Sequence, residues 1–213
     1  FFSLVVSGGH THLVRVKDYG QFDIIDDDFI RNCDEEKLKK QLEAVKKNGF
    51  THILCTNLAH GQLGKGMNFT LHGGFGLNIV SPYSVETAKQ LGFADVTASF
   101  EMKTSQLPKI CGNIPVGVIA YGYLPVMLTR NCPVKQAVGS CKSCTGKLTD
   151  RTGREFKVRC DGVSSEIFNS DLLMMSDRMD EICADFVQLD FTDETATEIN
   201  RVISCYREGR KLA

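Results

Sequence analysis

No stretch of this 213-residue chain approaches the roughly twenty consecutive apolar residues that a helix needs to cross a bilayer, so no membrane partner is expected. A cationic leader followed by a long apolar core is also missing. FFSLVV at the start is too short for one, which leaves secretion unsupported and points to a cytoplasmic protein. Excess charge of one sign is absent: 25 Lys and Arg face 26 Asp and Glu, a formal net charge of -1 with a pI near 6.6. That balance argues against a globally basic nucleic-acid binder, so any polyanion contact has to come from a local patch. No G-x-S-x-G elbow marks a serine nucleophile, and no internal repeat or low-complexity tract stands out. An initial Met is lacking as well. The chain opens directly in strand-like sequence, as a piece cut or assembled from something longer would.

What is present is an apolar fraction of 42%, enough for a real core, and nine cysteines. Four of them, Cys132, Cys141, Cys144 and Cys160, fall in one loop-rich segment, TRNCPVKQAVGSCKSCTGKLTDRTGREFKVRC. Four thiolates in such a stretch can close around one soft metal or an iron–sulfur cluster, each sulfur supplying one corner of a tetrahedral set. The CKSC pair alone is weak, since nine cysteines in 213 residues produce roughly 0.4 such pairs by chance; the signal lies in the quartet. Cys33, Cys55, Cys111, Cys183 and Cys205 are scattered and read as small buried hydrophobes. A 4Fe-4S cluster is the first expectation, structural zinc the alternative, and no metal the third reading. The same segment, residues 130–160, carries eight Lys or Arg against Asp150 and Glu155, a local balance of +6. Those cations either contact RNA or offset the charge of a thiolate centre.

Along the chain, residues 1–25 read as an antiparallel meander, with a turn signal from Asp18 to Gly20. A helix then follows, capped by Asp34, stopped at Gly49, with Leu38, Leu42 and Val45 on one face and acid-before-base pairs such as Glu35 to Lys39 on the other. HILCTN, NFTLHG, GLNIV, a helix over residues 84–91, DVTASFE and PVGVIAYG alternate strand and helix, which indicates parallel pairing. LTDRTGREFKVRC breaks the rhythm as a hairpin turning at Asp150 to Gly153. SEIFNSDLLMMSDRMDEI, FVQLDFT and a last helix resume the α/β pattern. Thr192 is the expected cap of that helix, and Ala196, Ile199, Ile203 and Tyr206 its inner face.

HGGFGLNI, AYGYLPVMLTRNCPV, CKSC, LTDRTGREFKV, IFNS and LDFTDE, from about Phe29 onward, resemble the U32 peptidase family. The resemblance implies a TIM-type (β/α) barrel of which residues 26–213 hold only the later strands, with an inserted Cys-rich hairpin; a full barrel runs to ~250 residues. It also implies two activities. One is that of a collagenase-like protease, and the other is hydroxylation of tRNA or rRNA with prephenate as helper, dependent on a four-Cys iron–sulfur cluster. A non-catalytic, zinc-stapled fragment is the reading from a different class. Separately, LVVSGGHTHLVRVKDYGQFDII in residues 1–25 resembles an internal segment of the tRNA threonylcarbamoyladenosine synthase subunit of the TsaD type, an actin-like fold in which Val5, Val6, Ser7, Gly8 and Gly9 would lie beside the adenylate ligand.

In a barrel, polar groups at the C-terminal ends of strands converge on the substrate. Those ends here are Asn57, His72, Glu101 and Tyr121, with Arg130 leading into the cysteine segment. His72, closing a strand before two glycines, is the best single candidate for acid–base work; His72, Glu101, Tyr121 and Arg130 form the candidate catalytic set. His10 and His12 share a strand face, but two residues fall short of a metal site.

Overall fold

The computed structural model describes residues 2–7, 10–18, 21–26, 35–160 and 164–211, the first three segments by their backbone. The meander is formed as expected: β1 (Phe2–Ser7), β2 (His10–Asp18) and β3 (Gln21–Asp26) pair antiparallel in sequence. α1 (Glu35–Lys47) buries Leu38, Leu42 and Val45, carries acids in its first turn and lysines in its last, and ends at Gly49 with φ +87°. Lys39 reaches Glu35 at 2.7 Å on the solvated face. The expected cap, Asp34, lies outside the described residues, as does Cys33.

β4 (His52–Cys55) follows, then α2 (Leu58–Gly66), β5 (Thr70–Gly73), α3 (Pro82–Leu91), β6 (Phe93–Thr97) and β7 (Val116–Gly122). β4 to β7 run parallel and in order, and β1 adds to the far side of β4, also parallel. Period-two alternation turns Ile53, Cys55, Leu71 and Val96 into a core shared with Leu42 of α1 and Val85 of α3. α2 has no named counterpart in the sequence reading, because LAHGQLGKG carries three glycines and little apolar periodicity. Two of those glycines mark close packing: a Cβ on Gly64 would stand 2.3 Å from Ile53, and one on Gly61 2.7 Å from the Phe93 ring. The strand expected at GLNIV is instead a 3₁₀ turn over Phe75–Leu77, closed by Asn78 at φ 52°, followed by a single bridge from Ile79 to Ala98. α3 begins two residues earlier than expected, because Ser81 caps it and Pro82 occupies the first helical position.

The chain folds as two compact units, one of residues 1–120, 175–189 and 193–213, the other of residues 121–174 and 190–192. In the second, β8 (Pro125–Thr129), β9 (Lys147–Thr149), β10 (Glu155–Cys160) and β11 (Ser165–Phe168) build an antiparallel sheet in the order β8-β11-β10-β9, with α4 (Pro133–Val138) between β8 and β9 in the chain. β12 (Leu173–Met174) pairs with Tyr121 and Gly122. The hairpin turn falls where expected. Asp150 Oδ1 accepts from the Thr152 N–H, the Thr152 hydroxyl and the Arg154 N–H, and Gly153 supplies φ +84°.

Back in the first unit, β13 (Phe186–Leu189) pairs with β7, and α5 (Ala196–Glu208) ends the fold. Residues 164–182 contain no α-helix, only β11, β12 and a 3₁₀ turn at Met179–Glu181, so α/β alternation does not resume there. α5 is capped by Thr195 in a reciprocal box with Glu198, not by Thr192. Its buried face is Ile199, Val202 and Cys205, rotated from the expected one. The molecule is thus a mixed α/β fold with one mainly parallel and one antiparallel sheet. No helix among the described residues is long and apolar enough to cross a membrane.

Candidate functional site

The cysteine segment folds entirely within the second unit. Cys132 precedes Pro133, which fixes the first helical position of α4, and its sulfur accepts the Lys135 N–H at 3.4 Å as the helix cap. Gly139 at φ +76° ends that short helix after six residues. A 3₁₀ turn over Cys141–Ser143 follows, and the Cys144 N–H returns to the Cys141 carbonyl at 3.2 Å, so the CKSC pair spans one tight turn. Cys160 ends β10 opposite Ser165 of β11. Cys132, Cys141 and Cys160 line one cavity of about 420 Å³ together with Arg130, Lys135 and Ser165.

Cys132 is half-buried; Cys141, Cys144 and Cys160 are exposed. The hydrogen bond from the Lys135 N–H holds the Cys132 thiol below its ordinary range. The donor chemistry of the cavity therefore fits a soft metal centre: one thiol biased toward thiolate and two more on the same wall. Among the described residues, no group of three or more His, Cys, Asp or Glu stands close enough to grip an ion as placed.

The cations of residues 130–160 are partly committed. Lys147 pairs with Glu155 at 2.8 Å, Arg154 with Asp171 at 3.1 Å, and Lys157 lies over the Tyr123 ring at 4.1 Å. These residues, with Ser170, line a second cavity of about 390 Å³.

The remaining candidates are dispersed. Arg130 borders the cysteine cavity, while Tyr121 is buried with its ring against Phe191 at 5.1 Å. His72 and Glu101 belong to the first unit. Glu101 is exposed in the turn after β6, and its N–H reaches the Ser99 hydroxyl at 3.4 Å. Asn57 caps α2, its Oδ1 accepting from the His60 N–H at 2.9 Å. Val5, Val6 and Ser7 are in β1, and His10 and His12 in β2, with their side chains outside the described residues; Gly8 and Gly9 lie outside them altogether. His72 has partners the sequence reading missed. Its Nδ1 is 2.7 Å from Asp95 of β6, and its Nε2 is 2.8 Å from His52 of β4. Only strand register joins these three, so no local motif could have named them.

Of the scattered cysteines, Cys55 and Cys205 are buried as expected, whereas Cys111 and Cys183 are exposed. Burial pushes the Cys55 thiol up to about 12.

No family model matches the chain, and no solved structure matches it. A stretch of 25 residues is 68% identical to the tRNA N6-adenosine threonylcarbamoyltransferase of Clostridioides difficile (strain 630), covering 12% of this chain and 7% of that protein. That similarity agrees in kind with the resemblance read in residues 1–25, and the U32 resemblance finds no counterpart in these comparisons.

Proposed function

We propose that Cys132, Cys141, Cys144 and Cys160 hold a 4Fe-4S cluster, and that residues 26–213 are a partial U32-type barrel from an RNA-hydroxylating enzyme. The observation that carries the metal site is the shared cavity: three of the four thiols line it, beside Arg130 and Lys135. Cations at that wall favour an anionic centre, and the hydrogen bond to Cys132 favours the ligating thiolate form. An iron–sulfur cluster bound there would supply one-electron chemistry. The chain's own part is to ligate through the four sulfurs, to offset charge through Arg130 and Lys135, and to offer the exposed cations of residues 130–160 to RNA phosphates. The U32 resemblance supports RNA hydroxylation over the peptidase reading only through this site, since four grouped thiols suit ligation better than one nucleophile with three spectators.

Structural zinc is the second reading, favoured by the one-turn Cys141–Cys144 arrangement next to a β-hairpin. Anaerobic purification with metal and sulfide analysis separates the two. The cluster predicts about four irons and four sulfides per chain, and the double variant Cys141→Ser, Cys144→Ser should lose most of them. About one zinc without sulfide would establish the second reading. A double variant that retains the parent's full iron would remove these two cysteines from the ligand set.

A further inference from the structure

The face of the parallel sheet turned away from the α1 and α3 core carries a cluster that the thiolate site does not use. Alternation along β4 and β5 buries Ile53 and Leu71 and leaves His52 and His72 on the other side, and a register shift in β6 between Phe93 and Asp95 brings Asp95 beside His72. Register sets His72 opposite Asp95, with Nδ1 to Oδ2 at 2.7 Å, and places His52 within 2.8 Å of His72 Nε2. The two imidazole planes differ by 21° with centroids 5.1 Å apart. That centroid distance is close to the N···N distance plus two ring radii, so the rings meet edge to edge along the bond rather than face to face.

Hydrogen-bond parity then assigns the protons. An ionised carboxylate can only accept, so His72 Nδ1 carries a hydrogen. In the neutral ring Nε2 is then a lone pair, and the donor it meets must be His52 Nδ1–H. His52 is left with a lone pair on its own Nε2. His52 is the exposed member, while the His72 and Asp95 side chains are only 29% and 24% exposed. The outer ring meets solvent and the two groups behind it are sheltered, an order that lets each bond polarise the next.

We infer that Asp95, His72 and His52 form an acid–base relay whose catalytic atom is His52 Nε2, taking a proton from water or from a hydroxyl of a small polar substrate. His72 and Asp95 are positioning residues: they hold His52 in the tautomer that leaves Nε2 basic. In ester hydrolysis a water O–H bond breaks and its proton goes to His52 Nε2. The water oxygen bonds to the acyl carbon, the leaving oxygen departs with the C–O electron pair, and the proton passes from the imidazolium to solvent. The relay lies wholly in the first unit and stands whether or not the cysteines bind metal.

The full chain with ¹⁵N-labelled histidine tests this. Long-range ¹H–¹⁵N spectra are expected to show both His52 and His72 as Nδ1–H tautomers, and Asp95→Asn should release that assignment in both rings while leaving the far-UV circular dichroism unchanged. With p-nitrophenyl acetate as probe, His52→Ala and Asp95→Asn should each slow hydrolysis about a hundredfold, the low end of what positioned acid–base groups supply. A parent protein whose His52 carries its proton on Nε2 overturns the relay, as does hydrolysis by His52→Ala at the parent rate. Should His52→Ala fail to fold, the tautomers of the parent decide alone.

Discussion

Three cysteines differ in environment in ways that exposure does not rank, and this gives a test at single residues. Cys132 is held below the usual thiol range by the Lys135 N–H. Cys111 is held above it by burial of its sulfur and then by the neighbouring Cys183 and Asp185. Cys55 sits in the core. Iodoacetamide attacks the thiolate, so lowering the pH from 8 should suppress labelling of Cys111 before that of Cys132, although Cys111 is the more exposed. Cys55 should stay unlabelled until the protein unfolds. Peptide mass mapping reads the order, and equal pH dependence at Cys132 and Cys111 would remove the argument from hydrogen bonding. The donor that holds Cys132 lies three residues on in the same turn, started by Pro133, so this feature belongs to the local sequence.

For α2, local propensity and packing pull in opposite directions, and magnitudes decide between them. Replacing a helical glycine by alanine is worth up to about 1 kcal/mol in propensity. At Gly64 the new Cβ would lie 2.3 Å from Ile53 Cδ1 and 2.9 Å from Leu71 Cδ2, an overpacking that costs roughly 1–3 kcal/mol. Gly64→Ala should therefore lower the urea midpoint. Gly66→Ala, with nothing within 4 Å of its Cβ, should raise stability by about 0.5–1 kcal/mol. The same packing hides α2 from a reader of sequence: its glycines look like breakers until Ile53, Leu71 and Phe93 are seen against them. By contrast α1, with its charged ends and its apolar stripe, and the Asp150 to Gly153 turn are governed by neighbours in the chain and were legible. The shifted cap of α5 belongs between these cases. Thr192 and Thr195 are both competent, but only Thr195 has Glu198 three residues on to close the box.

At the scale of the molecule, the division into two units predicts where a metal acts. If the cysteines bind a centre, its removal by chelator should speed amide exchange in β8 to β11 of the second unit and leave β4, β5 and β6 of the first unchanged. Uniform loss of protection across both would contradict a centre confined to residues 132–160. What the sequence determined alone was set by short-range rules: the absence of a membrane-length apolar run, a meander near the start of the chain, the parallel strands carrying HILC, TLHG and DVT, the hairpin at Asp150, and the grouping of four cysteines in one segment of chain. Tertiary structure alone decided which side chains meet. His52, His72 and Asp95 are 20 and 23 positions apart, and strand register, fixed by the apolar faces that must turn into the core, brings them within hydrogen-bonding distance. Period-two alternation can be read along a strand, but the strand it will lie beside is chosen by burial of the whole sheet.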